Sequence, residues 1–346
     1  MAARKRRWPW VLLLLALAAL GVYLGAPDSG SLRAAVLRLG DAPVATLLIV
    51  VGGALGLVAT EAVRIGVIGR LVGTTVAPRD AWDAAVANHL MTAITPHVGL
   101  GEPTVAYLLN KRGIAWDAAV AIPFVKFTTS LALVFALGSG LVLAGYGPPV
   151  APWIAASGLA LFVVIAAVTV VVLVVCSRPA LARRWIEGIH AWCARRRLFA
   201  RETWQARIPR AAEVATRMID RLGRVRRTTW RGAAILCAIH LVYYASYVAP
   251  LVGLALVLGD PPIVALALRS LIYLCFVFAM PTPGGAGPSE AAAGLFFADL
   301  VAPADAIVVV VVFRAATYYL QLAIGILYLP LMTLLRKPPV SPGAPG

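Results

Sequence analysis

Long apolar runs, separated by short polar breaks, set the pattern of the chain. Five of them are long enough to cross a bilayer, which takes about 20 predominantly apolar residues, and they fall at about 8–25, 43–69, 118–145, 153–176 and 232–258. A sixth runs from about 304 to 335. Two further stretches are less uniform. Residues 70–117 begin polar, turn moderately apolar and then break at Pro96-His97-Val98-Gly99-Leu100-Gly101-Glu102-Pro103. An apolar run at 263–280 leads into Pro281-Thr282-Pro283-Gly284-Gly285-Ala286-Gly287-Pro288-Ser289-Glu290, and a shorter apolar piece reaches about Leu300. The pattern predicts an all-α, polytopic membrane bundle of about six spanning helices in a single domain, 1–346.

Composition agrees with that reading. The 346 residues are 61% hydrophobic and 13% charged, with mean hydropathy +0.87, where a soluble domain carries about 25% charged residues. The formal net charge is +16. The charge is gathered in a few segments between apolar runs, so it points to orientation in a membrane and away from nucleic acid. Cys176, Cys193, Cys237 and Cys275 form no close pair, and His89 and His97 lack a third ligand, so no metal or other cofactor is expected. Arg4-Lys5-Arg6-Arg7 followed by an apolar run resembles a signal peptide, but no clean cleavage site follows, and the run is read as an uncleaved first span with a short loop after it.

The largest polar stretch, 177–230, lies between spans four and five. Fifteen arginines fall between Arg178 and Arg231. Ile208, Ala211, Ala215, Met218, Leu222 and Val225 share one helical face, and Arg207, Arg210, Arg217, Arg221 and Arg224 another. An ordinary solvated helix is one reading. The interleaved Trp185, Trp192 and Trp204 favour a helix lying on an anionic leaflet. With the basic N-terminus, this segment and the flexible tail at 336–346 placed in the cytoplasm, the Lys- and Arg-free turns near 146–152, 259–262 and 299–305 face outward. Residues 70–117 must then start and end inside, and 263–303 must start and end outside. Each is read as a re-entrant helical hairpin, the two entering from opposite faces.

The hairpin tips are alike. Both carry Gly-x-Gly, a proline and a glutamate, and 24 residues separate Glu102 from Lys126 and Glu290 from Arg314. Similar pieces of opposite topology are the mark of an inverted repeat. Broken helices within a membrane must be buried in protein or line a wet cavity, and their N-termini form partial positive poles suited to a phosphate. Glu61, Arg64, Glu102, Lys126, Arg269, Glu290 and Arg314 lie in or beside apolar segments, where each would cost about 2.5–3.5 kcal/mol facing lipid at the bilayer centre. They are expected to face a shared interior. Glu61 and Arg64, at i and i+3, also suit a local pair; Lys126, Arg269 and Arg314 lie near enough to span ends to snorkel. Glu102 and Glu290 suit either helix capping or the handling of substrate or protons. His240, Tyr243, Tyr244 and Tyr247 share one helix face, read as ordinary packing or as a polar stripe along a headgroup path; Tyr318, Tyr319 and Gln321 invite the same two readings.

The segment Pro281-Thr282-Pro283-Gly284-Gly285-Ala286-Gly287-x-x-Glu290, followed by a span with Arg314 and Tyr318, resembles the signature of the lysylphosphatidylglycerol synthase transmembrane, or flippase-like, family. Asn88, Pro96 and Gly101-Glu102 resemble that family's other motif, although Pro103, Thr104 and Val105 stand where a basic residue would be expected. The resemblance spans about 40–335. With eleven residues after Leu335, the aminoacyl-transfer domain found in some members is expected to be absent. The resemblance implies a bacterial inner-membrane protein, not an enzyme, that binds or translocates a phospholipid, polyprenyl-type lipid or hopanoid. Membrane lipids with anionic headgroups would be its partners, with a second copy or an envelope-biosynthesis protein as further candidates. Together with the buried charges and the tyrosine-bearing helix face, it points to a lipid site at Glu102, Lys126, Pro281, Pro283, Gly284, Gly285, Gly287, Glu290, Arg314 and Tyr318, supported by Asn88, Pro96, Gly101, Arg269, His240 and Tyr244. A membrane-embedded lipid-modifying transferase and an envelope-assembly partner are the competing functions.

Overall fold

A computed structural model describes residues 29–95, 100–149, 152–176, 213–223, 230–280 and 282–335, with scattered positions between 178 and 225. The first span and the tail lie outside the described residues, as do Pro96 and Pro281. The regular structure among the described residues is helical: α1 (Ser29–Gly40), α2 (Val44–Leu71), α3 (Pro78–Ile94), α4 (Gly101–Lys111), α5 (Trp116–Leu141), α6 (Pro152–Cys176), α7 (Trp230–Val248), α8 (Ile263–Ala279), α9 (Pro288–Ala291), α10 (Ala293–Phe297), α11 (Pro303–Arg314) and α12 (Leu320–Leu335).

Four helical stretches are long and apolar enough to cross a membrane: Val44–Leu71, Trp116–Tyr146, Trp230–Leu258 and Pro303–Met332. They match the second, third, fifth and last expected spans. Three of them change pitch, α5 by widening into a π turn at Val142–Tyr146. α7 tightens into a 3-10 turn at Ala249–Leu254 before a last turn, Ala255–Leu258. A π turn, Ala315–Tyr319, joins α11 to α12 where the sequence suggests one uninterrupted helix. The fourth expected span is α6, whose Leu161, Val163, Val164 and Val168 are exposed, as befits a lipid-facing surface.

The two less uniform stretches are both helical hairpins. In the first, the 17 residues of α3 run to a break and α4 returns for 11. In the second, α8 is again 17 residues, followed by a glycine-rich break and the short pieces α9 and α10. The core divides the same way. Val58, Ile65, Ile122 and Val125 cluster around the first hairpin, and Tyr273, Phe297, Val309 and Phe313 around the second. A small third cluster, Ala93, Ala286, Tyr318 and Leu322, joins the hairpin tips.

Two expectations are corrected. Residues 29–40, read as part of a loop, form α1, which buries Ala35 and pairs Arg38 with Asp305. Leu32, Ala35, Val36 and Leu39 carry a helical period that the neighbouring Pro27 and Gly30 obscure. The basic amphipathic segment does not present its apolar face to a leaflet where it is described. Met218, Leu222 and Val225 instead pack onto the first-hairpin cluster, and an apolar stripe spent on protein is no longer available to lipid. One of its arginines turns inward: Arg221 donates to Asp117 at the start of α5 and to the Val72 carbonyl at the end of α2. Arg217 pairs with Glu213 on the exposed side, while Arg207, Arg210 and Arg224 lie outside the described residues. Charged hydrogen bonds contribute about 1.5–3 kcal/mol, less where solvent screens them. Arg221→Ala is therefore expected to cost about 1–2 kcal/mol in detergent unfolding and to speed proteolysis near 213–225. Unchanged proteolysis would mean that this contact does not hold the segment.

Candidate functional site

In the first hairpin, the carboxylate of Glu61, buried in α2, is a hub. Arg64 Nη1 donates to its Oε2 at 2.8 Å, and Asn88 Nδ2 to its Oε1 at 2.9 Å. The Lys126 ammonium, on α5, donates to the same Oε1. Lys126 also pairs with Glu102 Oε2 at 3.0 Å, so it bridges two carboxylates. Glu61, Arg64 and Lys126 are at most 2% exposed. Such ions persist away from water only when paired, and here two acids and two bases cancel. The Arg64 guanidinium also stacks 3.9 Å from the centre of the Tyr243 ring.

Glu102 reaches this cluster because the chain breaks before α4 and restarts with Glu102 in its first turn. Gly101 makes that approach possible: a side chain there would begin 2.3 Å from Thr92 Oγ1 and 2.6 Å from Asn88 Oδ1.

The second hairpin builds its own pair. Arg314 Nε donates to Glu290 Oε1 at 2.9 Å, and its Nη2 to the Gly284 carbonyl at 2.9 Å. Glu290 also accepts the Gly287 N–H at 2.8 Å, capping α9, and the Tyr319 hydroxyl at 3.0 Å. Gly284 has φ +56°, and a side chain there would begin 2.2 Å from the Tyr318 ring, so the tip requires glycine. Gly285 and Gly287 have φ +74° and +91°. In both hairpins the glutamate and the cation 24 residues downstream form a direct ion pair, so the matched spacing is matched in geometry too.

Between the hairpins lies a cavity of about 480 Å³. Glu61, Arg64, Asn88, His89, Glu102 and Lys126 line one part of it; Phe127, Leu131, Phe135, Leu161 and Ile165 line the other. Phe127 on α5 and Leu161 on α6, both in the apolar part of the lining, are also exposed. A smaller pocket of about 50 Å³ sits at the second tip, lined by Thr282, Gly284, Gly285, Arg314 and Tyr318. His89, Thr92, Tyr247 and Phe278 border both spaces.

The residues singled out from sequence sort accordingly. Glu102, Lys126 and Asn88 line the larger cavity, and Gly284, Gly285, Arg314 and Tyr318 the smaller. Pro283, Gly287 and Glu290 build the second tip without lining either space. Three supporting candidates are corrected. Arg269 clasps Asp299 through two bonds of 3.0 Å and gives a third, of 2.9 Å, to the Phe296 carbonyl, fastening α8 to the end of the hairpin. His240 bonds Thr129, and Tyr244 bonds Ser130, across the α5–α7 contact. None of the three lines either space.

Sequence reasoning treated Glu61 and Arg64 as a local pair. That pair exists, but the partnership of Glu61 with Lys126 and Asn88 was missed. His89, Thr92 and the apolar wall were also missed as cavity lining. An acid that deep inside an apolar span was the available signal.

Among curated proteins none matches the chain. The family model for the lysylphosphatidylglycerol synthase TM region matches residues 10–325. With that match covering most of its length, this all-helical membrane chain belongs to the lysylphosphatidylglycerol synthase transmembrane-region family.

Proposed function

We propose that the protein binds the headgroup of a membrane lipid in the larger cavity and carries it across the bacterial inner membrane, acting as a flippase-like transporter and not as an enzyme. The observation that carries this reading is the two-sided cavity: four paired charges in one part of the lining, aliphatic and aromatic walls in the other, with Phe127 and Leu161 of that wall exposed. That shape suits an amphiphile whose head is inside and whose chains lie in the bilayer. A volume of about 480 Å³ falls in the usual range for small-ligand pockets, about 300–1,000 Å³, enough for a headgroup and too small for a whole lipid. Membership of a family tied to lipid synthesis supports the same reading.

The proposal includes six spans, cytoplasmic termini and two re-entrant hairpins inserted from opposite faces. The matched 17-residue arms and the tips meeting at Ala93 and Ala286 support that arrangement. The smaller pocket at the second tip, lined by Arg314 and Tyr318, is then a way station for the headgroup. The test is lipid translocation in proteoliposomes. Glu290→Gln and Arg314→Ala are each expected to slow it at least tenfold. Wild-type rates in both variants would remove these residues from the path.

A further inference from the structure

Inside the larger cavity, hydrogen-bonding capacity is unbalanced in a way the charges are not. Asn88 Oδ1, His89 Nε2 and Thr92 Oγ1 have no partner among the described residues, and all three side chains line the cavity. They come from one turn of α3. Asn88 and His89 are each only 7% exposed. The roles of these atoms follow from their neighbours. Asn88 spends its amide on Glu61, which leaves its oxygen as an acceptor. His89 has the Leu57 carbonyl beside its ring, and the neutral tautomer with its proton turned to that carbonyl leaves Nε2 as an acceptor. Thr92 can accept or donate. Against these stands one unpartnered donor, Arg64 Nε. Buried acceptors left empty cost about 1–3 kcal/mol each, and a ligand rich in N–H or O–H donors relieves that cost.

Charge separates the two kinds of donor. Glu61 and Glu102 are already matched by Arg64 and Lys126. An ammonium would be a fifth, uncompensated charge beside Lys126, whereas hydroxyls add none. Asn88 Oδ1 and Thr92 Oγ1 both crowd the side-chain position of Gly101 and so are close neighbours, which suits the adjacent hydroxyls of a polyol or sugar.

We infer that the cavity selects a lipid whose headgroup is hydroxyl-rich and carries no ammonium, through the Asn88, His89 and Thr92 acceptors. The inference rests on the lipid-binding reading and adds a substrate class to it.

The experiment measures binding of four short-chain lipids to the purified full chain in detergent. Glucosyl-diacylglycerol and phosphatidylinositol offer hydroxyls; phosphatidylethanolamine and phosphatidylserine offer an ammonium. Each pair has one uncharged or zwitterionic and one anionic member, so net charge is controlled. The hydroxyl pair is expected to bind at least tenfold more tightly. Thr92→Val, nearly the same shape, is expected to weaken the hydroxyl pair about three- to tenfold and leave the ammonium pair unchanged. Equal affinities for all four, tighter binding of the ammonium pair, or a Thr92→Val variant that keeps the wild-type preference overturns the inference and leaves lipid binding standing. Binding of none of the four overturns both. The wild-type comparison decides the matter even if Thr92→Val fails to fold.

Discussion

Glutamine in place of Glu61 is expected to cost about 3–5 kcal/mol of unfolding free energy, the usual range when one partner of a buried ion pair is removed. The carboxylate holds Arg64, Lys126 and Asn88 at once. A glutamine amide is neutral, and its NH₂ would face other donors. Lys126→Met is expected to cost less, about 1–3 kcal/mol, because Glu61 keeps Arg64 and Asn88. Glu102→Gln should cost least, since Lys126 still has Glu61 and the Glu102 side chain is 19% exposed. Denaturant titration of the three variants in mixed micelles gives the order directly. Equal losses for Glu61→Gln and Glu102→Gln would show that Glu61 is not the hub.

Removing Glu290 should be the other large loss, again about 3–5 kcal/mol for Glu290→Gln. Three donors converge on this carboxylate: Arg314, the Gly287 N–H and the Tyr319 hydroxyl. Arg314→Met is expected to lose less, about 2–3 kcal/mol, because the other two donors remain and the Gly284 carbonyl stays close to the tip loop. The Glu290→Gln/Arg314→Met double variant should regain at least about 1 kcal/mol over Glu290→Gln alone, since no unpaired buried cation is left. Strictly additive losses would mean that the two residues do not stabilise each other.

Much of this architecture was legible in the sequence because membrane helices announce themselves by length and hydropathy. Matched breaks at Gly101-Glu102 and Gly284–Glu290, each with a cation 24 residues on, marked the two tips as equivalent, but not that each glutamate and cation would pair directly. Other features depend on tertiary context that periodicity does not carry. Glu61 and Arg64 satisfy a local rule at i and i+3, which hides the reach of Glu61 to residues 27 and 65 positions away. Arg269 carries the same signal as Lys126, a cation in an apolar run, yet Asp299 takes it out of the cavity. The apolar stripe at 215–225 looks the same whether lipid or protein covers it, and only the position of the first-hairpin cluster decides.

The wide turn at Ala315–Tyr319 has a mechanical consequence. A π turn holds more residues than an α turn, so the segments before and after it point their contact faces in different directions. Upstream, Arg314 grips the second hairpin through Glu290; downstream, Gln321 donates to the Ala54 carbonyl and Tyr328 to Asp83 beside the first. One rod is thereby bolted to both halves, with a swivel between the bolts. A tilt of either half must be felt by the other along this rod, or be taken up as twist at 315–319.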